Sequence, residues 1–252
     1  MQKQRPFILI LLALLQPLSG ALAPLAGIGT PIGNATRDLG APEQPLPVFF
    51  SIWSVIFAAY LGFALFMLLR REPWMDRIAM PLTLAGLMNV VWMLSAQLIA
   101  SQPLDFALLF PIGAAAWASA WQFDRLRGMG GSLAKLTADA ATGLLSGWIT
   151  VAIAISIPLT IRHFSSLGPT DLPWLMLWAT LVTASLATWA FTRFISRSPW
   201  FFVSLGWGLL GIILNNWTIT DMHWLAIMTG VVAVIVLSLR LTRGAHGAVQ
   251  AA

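Results

Sequence analysis

The chain has 252 residues, 58% of them hydrophobic and only 9% charged, with a mean hydropathy of +0.82; soluble domains carry about a quarter of their residues as charges, so this is an integral membrane protein. A net charge of +5 and a pI near 11.1 would suggest nucleic acid for a soluble chain, but the basic residues sit in short loops between apolar runs, where they set orientation, and no nucleic-acid partner is expected. Without cysteine there are no disulfides, thiolate metal sites or cysteine nucleophiles, and the lack of strands with alternating polarity leaves an all-α, polytopic helical bundle in the lipid bilayer.

Apolar segments run at about 6–28, 48–70, 77–100, 104–123, 138–162, 173–195, 199–217 and 222–241, about eight candidate crossings. The first follows Lys3 and Arg5 and reaches Ala21-Leu22-Ala23, which has the look of a secretory signal, although Pro24 directly after that site argues against cleavage. Residues 29–46 form the longest outer loop. Its Pro31, Gly33, Pro42 and Pro45 disfavour regular helix, so it is expected to fold over the outer mouth of the bundle. Pro47 then opens the second segment at a first-turn position, where its missing amide costs nothing. Phe49, Trp53, Phe57 and Tyr60 follow at helical spacing and predict one aromatic stripe, read either as packing and interfacial aromatics or as a ligand surface.

In the third segment Asn89 and Trp92 share a face. An amide at this depth needs a hydrogen bond, so Asn89 faces the bundle interior, a neighbour's backbone or a ligand. The fourth carries small residues at 113–116, then Trp117 and Trp121, the latter read as an interfacial anchor. In the fifth, Gly143 and Gly147 allow close helix approach, and Trp148, Ala152 and Ser156 form a stripe suited to a pocket wall. The last three are rich in Leu, Val and Trp. Trp174, Trp200, Trp217 and Trp224 near their ends read as an interfacial belt, and Asn215 and Asn216 as an ordinary polar helix end.

Alternate loops carry the positive charge. Lys3 and Arg5, Arg70, Arg71 and Arg77, Arg125, Arg127 and Lys135, Arg193 and Arg197, and Arg240 and Arg243 lie on one side, against Arg37 and Arg162 on the other, which makes both termini cytoplasmic. No segment has an ionisable residue well inside its apolar run, which weighs against ion-coupled transport. His163, His223 and His246 lie at segment ends or in the tail, and no nucleotide, esterase or zinc-protease motif occurs, so neither a metal site nor an enzyme is expected.

Three stretches in order, Phe49-Phe50-Ser51-Ile52-Trp53, Asn89-Val90-Val91-Trp92 and Gly147-Trp148-Ile149-Thr150-Val151-Ala152, resemble the TspO/MBR family of tryptophan-rich sensory proteins, which includes the translocator protein or peripheral-type benzodiazepine receptor. The resemblance covers residues 6–162. It implies a five-helix membrane core that binds porphyrins, and in some members sterols or aromatic drugs, in a cavity capped by the first loop, and that forms dimers. It carries over to Trp53, to Asn89 and Trp92, and to Trp148 and Ala152. Phe57 stands where the family has tyrosine and Ser156 where it has asparagine, so the ligand contacts are expected to differ.

The expected organisation is a five-helix core at 1–163 with outer loop 29–47, three additional helices at 164–243 and a cytoplasmic tail at 244–252. Counting about 1.5 Å per residue from the outer ends puts Trp53, Trp92, Ala152 and Trp148 at roughly 8 to 20 Å depth, beneath the loop. The expected ligand site is Phe49, Trp53, Asn89, Trp92, Trp148, Ala152 and Ser156. The leading reading is a sensor or binding protein for a flat apolar, tetrapyrrole-like molecule in a bacterial cytoplasmic membrane, with no cofactor required beyond a porphyrin or haem-type ligand. A facilitative transporter and a structural membrane component are the alternatives. For Gly143 and Gly147, packing within the chain is favoured over a homodimer interface.

Overall fold

The structure, a computed structural model, describes residues 4–32, 40–126 and 132–244. Lys3, Gly33, Arg37, Arg127, His246 and the rest of the tail beyond Gly244 lie outside the described residues, as does the side chain of Arg243. Among the described residues there is no strand. The helices are α1 (Arg5–Gly20), α2 (Leu22–Ala26), α3 (Ile52–Leu69) entered through a 3-10 turn (Pro47–Ser51), α4 (Pro73–Leu98), α5 (Gln102–Arg125), α6 (Ser132–Phe164), α7 (Pro173–Ala190) ending in a π turn (Phe191–Ile195), α8 (Pro199–Thr218) and α9 (His223–Gly244). Proline marks the starts: Pro6, Pro47, Pro73, Pro103, Pro173 and Pro199 all stand in first turns, where an amide would have no partner.

Seven of these stretches are long and apolar enough to cross a bilayer. The first apolar segment differs from the expected continuous span. α1 has 16 residues, and the helix breaks at Ala21 because Pro24 has no N–H for the carbonyl of Gly20. Gln97 of α4 covers the break, its Nε2 donating to the Ser19 carbonyl at 2.6 Å and its Oε1 accepting from the Ala23 amide at 2.9 Å. Backbone groups freed inside a membrane need such partners. Arg5 meanwhile reaches Asp76 in the first turn of α4, at 3.3 Å. Together α1 and α2 therefore lie along α4 from Asp76 to Gln97, while α1 itself is shorter than the seven candidate spans.

One end of the bundle is basic: Asp76 is shared by Arg5 and Arg71, and Arg125 lies 4.0 Å over the Trp121 ring. The opposite end holds the described part of the loop at 29–46. Between them α6 is the axis, packed by α3, α5, α7 and α8. Its apolar window is 67% buried, against 28% for the peripheral α9.

The α6–α8 crossing accounts for the glycines. A Cβ on Gly147 would overlap Ser204 Oγ and the Phe201 carbonyl oxygen, and one on Gly143 would meet Ser198 Oγ and, at 2.9 Å, Trp200 Cβ. From the other side, Gly208 faces Val151 and Gly211 faces Pro45 and Phe49. The small face of α6 is thus consumed within the chain, and α7, α8 and α9 pack on the core through α6 and α8.

Candidate functional site

The site begins with the loop. Ala41, Glu43 and Gln44 are buried, and each attachment of this segment uses a side chain or carbonyl of the bundle. Asn215 Nδ2 donates to the Ala41 carbonyl at 3.0 Å, Asn216 Nδ2 to the Pro42 carbonyl at 2.6 Å, and the Leu46 amide to the Gly211 carbonyl at 3.1 Å. Trp207 Nε1 donates to the Phe49 carbonyl at 2.8 Å. At the end of α6, Arg162 pairs with Glu43 at 3.2 Å, both side chains almost fully buried, and also donates to the carbonyls of Gly168 and Asp171. The start of the loop is held by the Thr30 amide on the Gln97 carbonyl, 2.8 Å. The loop is a lid.

Beneath it five aromatic rings meet. Trp53 stacks on Phe57 (5.5 Å between centroids), lies 6.1 Å from Trp92 and stands edge-on to Trp148 at 6.4 Å; Phe50 meets Trp148 edge-on at 5.6 Å. These tilted and T-shaped arrangements suit the ring quadrupoles. Trp53, Trp92, Trp148 and Phe50 line a cavity with Ala152, Ser156, Gln44, Gln102 and Asp105 among its other walls. Its free space is about 60 Å³. That is room for about two waters, well below the roughly 300 Å³ at which small-molecule pockets begin. As it stands the chamber is too small for a ring system.

A wider depression of about 870 Å³ lies at the basic end between Arg5, Arg71, Asp76, Arg77 and Gln122. It has no aromatic wall, and its carboxylate is already held by two arginines. The lidded chamber is the candidate site.

Of the expected residues, Trp53, Trp92, Trp148, Ala152 and Ser156 are brought together. Phe49 is not. It is buried toward α8, 4.7 Å from the Trp207 ring, because residues 47–51 wind as a 3-10 turn rather than as the expected α-helix. At three residues per turn side chains three apart eclipse, so Phe50 falls on the face of Trp53 and Phe49 is swung off it. The predicted stripe from Phe49 to Tyr60 is broken at both ends, since Tyr60 faces α4 and donates to the Leu82 carbonyl at 3.1 Å. Asn89 is also outside the chamber. Fully buried, its Nδ2 donates to Gln16 Oε1 of α1 at 2.9 Å; a residue three before Trp92 is turned about 60° around the helix, enough to face α1 instead. It is a bond between helices.

Sequence reasoning missed several lining residues, Gln102 among them, and three of the misses have identifiable causes. Phe50 was hidden by the 3-10 turn, Gln44 by its place in an irregular loop, and Asp105 by its place in the first turn of α5, where a carboxylate is ordinary. Asp105 is 5% exposed; Ser95 Oγ donates to its Oδ1 at 2.9 Å, and its Oδ2 has no partner among the described residues. Trp92 Nε1 is likewise buried without a partner.

Fold and site define an integral membrane helical bundle with a lidded, tryptophan-walled chamber. Compared with protein families, the chain matches the model described as TSPO-like protein over residues 7–241, and it belongs to that family. The match reaches from α1 into α9, so it extends beyond the five spans ending at Arg162 and takes in the three C-terminal helices. No curated protein and no solved structure matches the chain.

Proposed function

We propose that this TSPO-like protein is a membrane binding protein or sensor for a flat apolar small molecule, a tetrapyrrole ring being the reference case, and that it acts by binding rather than by catalysis. The observation that carries this reading is the convergence of Phe50 and Trp53, Trp92 and Trp148 from three helices on one cavity beneath the lid. Aromatic faces accept planar ligands of many kinds, and a few polar groups then fix orientation. Because the cavity's free space of about 60 Å³ is too small for a ring system, binding requires its walls, the lid among them, to move, which gives ligand occupancy a structural consequence outside the chamber. The positive-inside rule orients the basic end, with both termini, toward the cytoplasm and the lid outward.

The test is titration of a porphyrin without carboxylate substituents into purified protein in detergent, following tryptophan emission and ligand absorbance. Saturable quenching that Trp148→Ala weakens at least about tenfold supports the reading; unchanged emission with no saturable absorbance shift refutes it.

A further inference from the structure

Resting on that reading, we infer that the chamber selects flat ligands bearing a cationic or hydrogen-bond-donating nitrogen, with Asp105 Oδ2 as its partner. The lining is electrically one-sided. Among the described residues it contains one carboxylate, Asp105, and no lysine, arginine or histidine. Arg162, the nearest basic side chain along α6, is directed to Glu43 and to the carbonyls of Gly168 and Asp171. An anionic substituent would therefore meet a carboxylate in the wall and, among the described lining residues, no basic side chain to offset it.

The carboxylate is held but not satisfied. Ser95 occupies Oδ1 from α4 and fixes the side chain, while Oδ2 is buried and, among the described residues, has no donor. A buried acceptor left without a donor is unfavourable, and more so for a charged group, so a ligand that donates to Oδ2 removes an existing cost as well as forming a bond. An ammonium opposite the carboxylate also leaves the pair without net charge. The rings point the same way: Trp53, Trp92, Trp148 and Phe50 present π faces and edges around one small cavity, and indole is the best neutral partner for an organic cation. Trp92 Nε1, buried and unpartnered, offers one donor to a neutral acceptor elsewhere on the same ligand. The ligand class is a planar aromatic amine.

The experiment compares three tricyclic probes of one shape, aminoacridine, acridine and acridine carboxylate, titrated at neutral pH into the full chain in detergent, with protein-free micelles as the blank. The expected result is that aminoacridine binds at least about tenfold tighter than acridine, as a hydrogen bond to a charged group implies, that the carboxylate binds weakest, and that Asp105→Asn removes the preference for the amine while still binding acridine. Equal affinity for amine and neutral ring, or a preference for the carboxylate, overturns the inference from the unsubstituted protein alone. In that case saturable binding weakened by Trp148→Ala leaves the aromatic chamber standing. Absence of saturable binding by all three probes and by porphyrin overturns both.

Discussion

The lid latch gives the sharpest prediction. Replacing Glu43 with Gln keeps shape but strips the charge facing Arg162, whose side chain is only 3% exposed; the guanidinium then has the Gly168 and Asp171 carbonyls but no counter-ion. Replacing Arg162 with Met takes the guanidinium away from a carboxylate whose side chain is 0% exposed and also deprives those carbonyls of a donor. Breaking a buried pair from one side costs about 3–5 kcal/mol. Arg162→Met is expected at the upper end because it loses more partners, and Glu43→Gln at the lower. The double variant removes both charges and is expected to lose no more than the worse single variant, giving a coupling of at least about 3 kcal/mol. Denaturant titration of the four proteins in mixed micelles measures this cycle. If the two single losses add within about 0.5 kcal/mol, the residues are uncoupled and the latch is refuted.

Two further predictions address packing and sidedness. Gly147→Leu drives a branched side chain into the Phe201 carbonyl and Ser204, beyond the about 1–3 kcal/mol of ordinary overpacking, so folded protein should be lost; a stable, fully folded monomer would place this face at a subunit boundary instead. For orientation, a cysteine introduced at exposed Ser166, at the lid end, should be labelled by an impermeant reagent from outside intact cells, and one at exposed Leu133 should not. The reverse pattern would invert the topology.

What the sequence made legible was whatever depends on period and length. Trp148, Ala152 and Ser156 follow one α-helical stripe on α6, and that stripe does line the chamber, because α6 is regular where it carries them. The errors arose where period changed or neighbours decided. Phe49 and Phe50 exchange roles through one 3-10 turn, which nothing in Pro-Val-Phe-Phe distinguishes from an α start. Asn89 was correctly expected to need a partner, but its choice of Gln16 depends on α1 packing against α4. Asp105 lies at a helix end in the sequence, yet that end is under the lid, so a position that reads as interfacial is buried.

The most consequential misreading concerns α8, and its logic was present in the lid itself. Pro42, Pro45 and Pro47 lack amides, so this segment cannot pair its own carbonyls as a helix would, and inside a membrane protein those carbonyls require donors from elsewhere. All three side-chain donors that meet the carbonyls of Ala41, Pro42 and Phe49 come from α8: Asn215, Asn216 and Trp207. Two adjacent amides that read as a routine polar helix end are the complement of a proline-rich loop some 170 residues earlier. Gly211, bare where Pro45 and Phe49 approach, gives the loop its depth. A five-helix core ending at Arg162 would retain the Glu43 latch but lose these hydrogen bonds and the wall behind Phe49. α8 is therefore part of what closes the chamber, which accords with a family match that continues through it.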